Sequence, residues 1–376
     1  MVKEGFSEER TTAKVSIHKA DYQVIADVIP EVFAEFPLPW QGKRILIKPN
    51  MLGPFSVNKG VTTHPALIKA VVEYLQSQNP AEIIVGDNPG AMGYGENERC
   101  AHQTGILEGA QGYYRNLSKN TIKREVKSTF VKSLVISREV LESDIVINLP
   151  KFKTHLQTRI TGAVKNMYGI LVGGEKARLH TIATDPEDFS RAVVEVYRIR
   201  VPELTIMDAV VGMEGNGPSN GRLRNINRIL ASDNGVALDA VMAYMMGVAP
   251  QEIKYLQIAQ TEGLGEIDLD KIEIKGPLEQ IKGFKMPMSF GSRGLLGTMI
   301  NKYFYSSLAK PHLKVKEKQC ELCQVCLQSC PVGALELKKY PSVRRDLCIS
   351  CYCCYELCPQ SAIDFTGWQK FINLIS

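Results

Sequence analysis

The chain predicts an α/β domain with a largely parallel sheet and helices on its faces, followed by a small cysteine-rich α+β domain. Three observations carry this. Short apolar runs alternate with helical segments through most of the chain, which is the rhythm of β-α-β units. One cysteine spacing then occurs twice, as Cys320-x-x-Cys323-x-x-Cys326-x-x-x-Cys330-Pro331 and as Cys348-x-x-Cys351-x-x-Cys354-x-x-x-Cys358-Pro359. Between the two regions the composition turns basic and partly apolar. The boundaries are 1–278 for the α/β domain, 279–312 for the connector and 313–376 for the cysteine-rich domain.

A polar lead runs into a first strand at Lys14–His18. Asp21 caps an apolar helix over Tyr22–Phe36, which Pro37 and Pro39 terminate. Arg44–Lys48 reads as a buried strand entering Pro49-Asn50. Thr63 or His64 caps a helix over Pro65–Gln76, with proline in the first turn where its missing N–H costs nothing. The strand Glu82–Gly86 ends at Asp87-Asn88-Pro89-Gly90, and the polar segment from Asn88 to Gly112 reads as a long excursion over the strands' carboxyl ends. Further strands are expected at Phe130–Ile136, Asp144–Leu149, Leu204–Asp208 and Arg228–Ala231, with helices at Pro186–Arg198, Gly235–Met246 and Gln251–Thr261. In the connector, Gly294–Leu308 predicts an apolar-faced helix that packs the small domain on the large one; its alternative role is peripheral contact with an anionic membrane surface.

With 376 residues, 44% of them hydrophobic and 23% charged, the chain is long enough for one large domain and one small one. It has no run of eighteen apolar residues and opens on charged residues, which predicts a cytoplasmic protein. Of the 10 cysteines, all but Cys100 and Cys353 fall in the repeat, so the expected compartment is reducing and the host anaerobic or microaerobic. Cys353 reads as a small packing residue. The formal charge of +5 counts every thiol as neutral. Two cubanes of roughly −2 each, thiolates included, would bring it to about +1, so no nucleic-acid partner is implied.

Sulfurs three residues apart can wrap one iron–sulfur cube on three corners, and the fourth thiolate must come from elsewhere. Two zinc sites are the alternative, but zinc draws pairs of ligands from separated knuckles, whereas here three close thiolates precede a Cys-Pro, twice. The spacing resembles that of bacterial two-cluster ferredoxins. That resemblance implies a ferredoxin-like domain with two [4Fe-4S] clusters and crossed ligands: Cys320, Cys323, Cys326 and Cys358 for one, and Cys348, Cys351, Cys354 and Cys330 for the other.

Ligands in open α/β sheets bind beyond the strands' carboxyl ends, which singles out the polar residues there. Lys48 and Asn50 follow one strand, Asp87 another, Lys151, Lys153 and His155 a third, and Asp208 a fourth, with Glu214 after it. His64 opens a helix, and Lys165 and Asn166 continue the third segment. Taken singly, such lysines are ordinarily solvated, Gly-Asn-Gly-Pro is an ordinary turn, and His64 is a cap before it is a ligand. Together they place cations beside acids, and an anionic small molecule is the simplest ligand. Lys151, Lys153 and Lys165 would position it and His155 would donate a proton; Lys48, Asn50, His64, Asp87, Asn166, Asp208 and Glu214 would line the site with them. A divalent metal on the acids and His155 is a further option, although no H-x-x-x-H or H-x-E spacing supports it.

The stretches Lys48-Pro49-Asn50, Thr63-His64-Pro65, Leu149 to His155, Gly162 to Asn166 and Gly212 to Pro218 resemble a family known as domain of unknown function 362, often fused to a ferredoxin module. The resemblance implies architecture and no substrate. Two functions remain: an enzyme whose clusters relay electrons to a substrate or an unidentified cofactor in the α/β cleft, and an electron carrier or cofactor-assembly partner that recognises another redox protein. No G-x-G-x-x-G and no P-loop is present.

Overall fold

The computed structural model describes residues 12–287 except 91, 92, 94 and 184, and, within 312–366, all but 329, 331, 349–352, 357 and 361. The strands in chain order are β1 (Lys14–Lys19), β2 (Arg44–Pro49), β3 (Glu82–Val85), β4 (Thr121–Glu125), β5 (Ser133–Ser137), β6 (Ile145–Leu149), β7 (Lys151–His155), β8 (Arg159–Thr161), β9 (Leu204–Glu214), β10 (Arg222–Ser232), β11 (Glu273–Lys275), β12 (His312–Val315), β13 (Leu335–Leu337), β14 (Pro341–Val343) and β15 (Ile363–Thr366).

The main sheet runs β11-β1-β10-β9-β6-β2-β3, with β7 and β8 attached through β9. β10 lies antiparallel to its neighbours β1 and β9, and β8 to β7; β6, β2 and β3 pair in parallel, as expected. Its central strands are apolar on both faces because both faces are covered. Leu46 points into one core, with the helices Pro186–Ile199, Gly235–Met245 and Lys254–Thr261. Ile45 and Ile47 point into the other, with Ile25–Glu35 and Pro65–Gln76. A strand's alternation of faces and a helix layer on each side account for this division. Of the expected caps, His64 Nδ1 accepts the Ala66 amide at 3.1 Å; Asp21 instead closes the turn before the first helix, its Oδ1 accepting the amides of Gln23 at 2.7 Å and Val24 at 3.1 Å, and that helix starts only at Ile25 with Val24 as an N-cap that makes no side-chain bond.

Four further expectations need correction. The strand expected at Asp144–Leu149 ends there as β6, but the polar segment expected beyond its end is itself a strand, because Pro150 removes one donor without breaking the extended path and β7 follows beside β9 with Lys151 opposite Asp208. β9 and β10 extend to 11 residues each, because past Asp208 they still pair with each other as far as Glu214 and Arg222. The strand expected at Phe130–Ile136 begins at Ser133 and pairs with β4 in a separate hairpin. The expected excursion from Asn88 to Gly112 contains the helices Asn97–Gln103 and Ile106–Gly109.

Past residue 278, Ile281, Phe284 and Met286 still pack on the larger core. The helix expected at Gly294–Leu308 lies outside the described residues, as do the side chains of Cys351 and Cys353. In the small unit β12 pairs with β15 and β13 with β14, both antiparallel. Its two halves exchange equivalent bonds: the Lys316 amide donates to Ala362 O and the Arg344 amide to Ala334 O, each at 2.7 Å. The Ala334 amide meets Cys330 Sγ at 3.1 Å, and the Ala362 amide meets Cys358 Sγ at 3.2 Å. No helix among the described residues is long and apolar enough to cross a membrane.

Candidate functional site

Residues 151, 153 and 155 of β7 share one face of the strand because side chains alternate. All three are buried. Lys151 Nζ pairs with Asp208 Oδ2 at 2.8 Å and donates to Tyr22 OH at 2.9 Å, while the Tyr22 hydroxyl donates to Asp208 Oδ1 at 3.0 Å. The His64 amide adds a bond to Asp208 Oδ2 at 2.9 Å, and its ring stacks on Tyr22 at 3.6 Å. This knot fixes the start of β7 against the helix Pro65–Gln76. Burial lowers the Lys151 pKa against the pull of Asp208, and it raises that of Tyr22 well above the phenolic range.

One step along, Lys153 Nζ donates to Asn50 Oδ1 and Val61 O, both at 2.7 Å. Asn50 Nδ2 donates to Asn166 Oδ1 at 2.9 Å, and Asn166 Nδ2 donates to Asn148 Oδ1 at 2.8 Å. Amides thus chain the ends of β2, β6 and β7 to the helix Ala163–Asn166. The first turn of that helix is held by buried Asp239, which accepts the Ala163 amide at 2.6 Å, the Val164 amide at 3.0 Å and the Tyr255 hydroxyl at 2.9 Å.

His155 completes the row. Its Nδ1 accepts the amides of Gln157 at 3.2 Å and Thr158 at 3.3 Å, which leaves the proton of the neutral ring on Nε2. Burial, then Lys165, His180 and Lys153, hold its pKa well below the ordinary imidazole value. At neutral pH the ring is uncharged, so it does not carry the acidic proton expected of it. The Lys165 ammonium lies 5.6 Å from the Tyr168 ring centre and 5.2 Å from that of Phe189, on which His180 stacks at 4.3 Å.

Lys48 and Asp87 form a second buried pair at 2.8 Å, and Asp87 Oδ2 accepts the Met51 amide at 2.9 Å. A side chain at Gly169 would collide with both partners, so the glycine lets the backbone close over them. Lys176 Nζ donates to Asn88 O at 2.5 Å and Pro89 O at 3.0 Å, which pins the turn carrying Asp87. Burial, with Asp87 opposing and Lys48 and Lys165 adding, pushes its pKa down to about 7. His180 goes down to about 3, through burial and then Lys165.

The structure therefore brings Lys48, Asn50, Asp87, Lys151, Lys153, His155, Lys165, Asn166 and Asp208 into one region. His64 enters it as a cap. Glu214 Oε2 accepts the Lys285 amide at 3.2 Å and lies 3.7 Å from Arg224. Lys176 and His180 were missed. Their spacing on the helix Glu175–Ile182 puts them on one face, but a helix with two buried residues, one of them the lysine, gives no apolar stripe to read.

In the small unit, burial, then Cys358, raise the Cys326 thiol to about 11; the Leu327 amide opposes them, and Cys323 and Cys320 add. Those four cysteines are thus electrostatic neighbours. Among the described residues no group of three or more His, Cys, Asp or Glu side chains closes on a point that could hold a metal ion. The small unit abuts the site. Leu156, the residue after His155, packs on the core of Cys326, Tyr355, Cys358, Ala362 and Ile363, and Asn220 Nδ2 donates to Tyr355 O at 2.8 Å.

Residues 45–244 match a family described as domain of unknown function (DUF362). A protein of Synechocystis sp. described as thylakoid-associated is 29% identical over 290 residues, which cover 73% of this chain and 87% of that protein. Among solved structures, the lactate racemase apoprotein of Thermoanaerobacterium thermosaccharolyticum aligns with a TM-score of 0.39 at 13% identity, over 65% of this chain and 59% of its own. A Thermotoga maritima protein aligns with a TM-score of 0.35 at 11% identity, over 51% of each chain.

Proposed function

We propose that this chain, which belongs to the DUF362 family, is a cytoplasmic iron–sulfur redox protein that passes electrons to an anionic small molecule or cofactor bound beside β7. One observation carries the reading: the cysteine core packs directly on Leu156, whose neighbour His155 faces Lys153, Lys165 and His180. In a ferredoxin-like unit, Cys320, Cys323, Cys326 and Cys358 would hold one [4Fe-4S] cluster, and Cys348, Cys351, Cys354 and Cys330 the other. Bound clusters supply single electrons. The chain's own residues do the rest. Lys153 and Lys165 attract and orient the anion, and the amide network through Asn50 and Asn166 keeps them in place. All the groups acting on His155 are basic, so an arriving anion offsets them and lifts its pKa toward the range in which an imidazolium donates a proton.

Anaerobic loading with iron and sulfide should give about eight irons per chain. Two zinc ions and no iron would end the reading. In the loaded protein, Lys153→Ala should leave the clusters reducible by a viologen yet abolish reoxidation by any anion the wild type consumes; unchanged reoxidation would sink the site. The exposed Leu322, Leu337 and Leu347, all on the small unit, favour a second reading, an electron carrier or assembly partner that docks another redox protein there. A carrier predicts that Lys153→Ala leaves transfer to that protein intact, while charge changes on the small unit slow it in a salt-dependent way.

A further inference from the structure

We infer that the β7–β8 turn couples the two units, so that loading the cysteine site nearest Leu156 orders the wall of the anion site, and that this is the site of Cys320, Cys323, Cys326 and Cys358. The inference rests on the proposed redox function and specifies which half of the small unit communicates with β7.

The turn is built from two anchors that point in opposite directions. His155 faces inward and folds the turn around itself by accepting the amides of Gln157 and Thr158. Leu156 faces outward into the core that Cys326 and Cys358 help to form, with Cys320 packed on its edge. Asn220, between β9 and β10, adds a second tie through Tyr355 O. A displacement of Leu156 therefore tilts the His155 ring and with it the end of the cation row.

The core on which Leu156 leans is small, with five buried residues among those described. A unit of this size gains little from apolar burial alone, and crosslinking by bound metal is one means by which such units are held. Cys326 and Cys358 come from the two halves, and both belong to that core. Binding at these thiolates stabilises only the folded arrangement, so it lowers the frequency with which the core, and the turn packed on it, opens. Of the other set, Cys354 packs on the edge of this core, while among the described residues neither Cys330 nor Cys348 belongs to it. Coupling is reciprocal, so an anion that fixes the turn also favours loading at the near site.

Amide hydrogen exchange over 152–160 in the full chain, before and after anaerobic loading with iron and sulfide, tests this. Loading should slow exchange in that segment by about tenfold in the wild type. The protection should survive in Cys348→Ser and vanish in Cys326→Ser. Because Cys326→Ser also risks unfolding the small unit, Leu156→Ala serves as the second variant: it should take up iron like the wild type yet show no protection. Equal exchange in loaded and unloaded wild type would overturn the coupling. Loss of protection in Cys348→Ser with retention in Cys326→Ser would overturn the assignment of the near site. A wild type that takes up no iron at all would instead refute the redox function, and this inference with it.

Discussion

A buried lysine survives by pairing or by losing its charge, and this chain does both within one region. Lys48 and Asp87 meet directly, and the Lys48 pKa is lowered by burial against the pull of Asp87. Such a pair adds little net stability, but removing one partner strands the other. Lys48→Met should therefore destabilise the fold by about 3–5 kcal/mol in urea titrations, and Lys48→Met with Asp87→Leu by clearly less. An additive double variant would show that the two do not act as a pair. Asp239 is the opposite case, a buried carboxylate met by two amides and a hydroxyl. Burial wins over those donors and lifts its pKa from 3.8 to about 7. Below pH 3.8 the folded and unfolded chains both hold the proton. Between there and about 7 the folded chain alone keeps it, so this contribution to stability is lost as pH rises through that window. Its size is of order 4 kcal/mol. Asp239→Asn should flatten the fall in urea midpoint across that window, and an unchanged slope would show that the carboxyl ionises normally.

At the scale of elements, legibility followed periodicity. Helices with an apolar stripe and a cap, such as Pro65–Gln76 and Pro186–Ile199, were read to within a residue, and so were the strands β2, β3 and β6. β7 was not, because Lys151-Phe152-Lys153-Thr154-His155 has charges where a buried strand ordinarily has apolar side chains. Its charges became legible as a set only once the pairing with β9 showed that they alternate onto one face. The outer halves of β9 and β10 were missed for a related reason. Leu223 to Arg228 alternates between exposed and half-buried positions and is held by cross-strand pairing rather than by a core. The site residues themselves were mostly visible, since Lys and His at strand ends are conspicuous. The roles of Asp208 and His155 were not, because saturation by four donors and depression of a pKa by basic neighbours depend on contacts far apart in sequence.

For the whole molecule, the cysteine repeat tells more about the small unit than about its placement. Two copies of one spacing suggest two similar halves, and the exchanged backbone bonds at Lys316, Ala362, Arg344 and Ala334 are what two such halves do when each completes the other. Each Cys-Pro cysteine also accepts an amide from four residues on. The crossed ligand assignment follows this symmetry and makes the last prediction. Cys358 and Cys326 share one core although they stand in different copies of the repeat, which favours the crossed set. In the iron-loaded protein, Cys358→Ser should alter the spectrum and potential of the site built on Cys320, Cys323 and Cys326, and Cys330→Ser those of the site built on Cys348, Cys351 and Cys354. Electron paramagnetic resonance of the reduced variants separates the outcomes if each remaining site is marked by a second substitution, Cys323→Ser or Cys348→Ser. Pairing Cys358→Ser with Cys323→Ser should then leave one site untouched, because both changes fall on the same set, whereas pairing Cys358→Ser with Cys348→Ser should damage both. The reverse pattern would mean that each run closes its own site, and Cys358 would then approach Cys326 for packing alone.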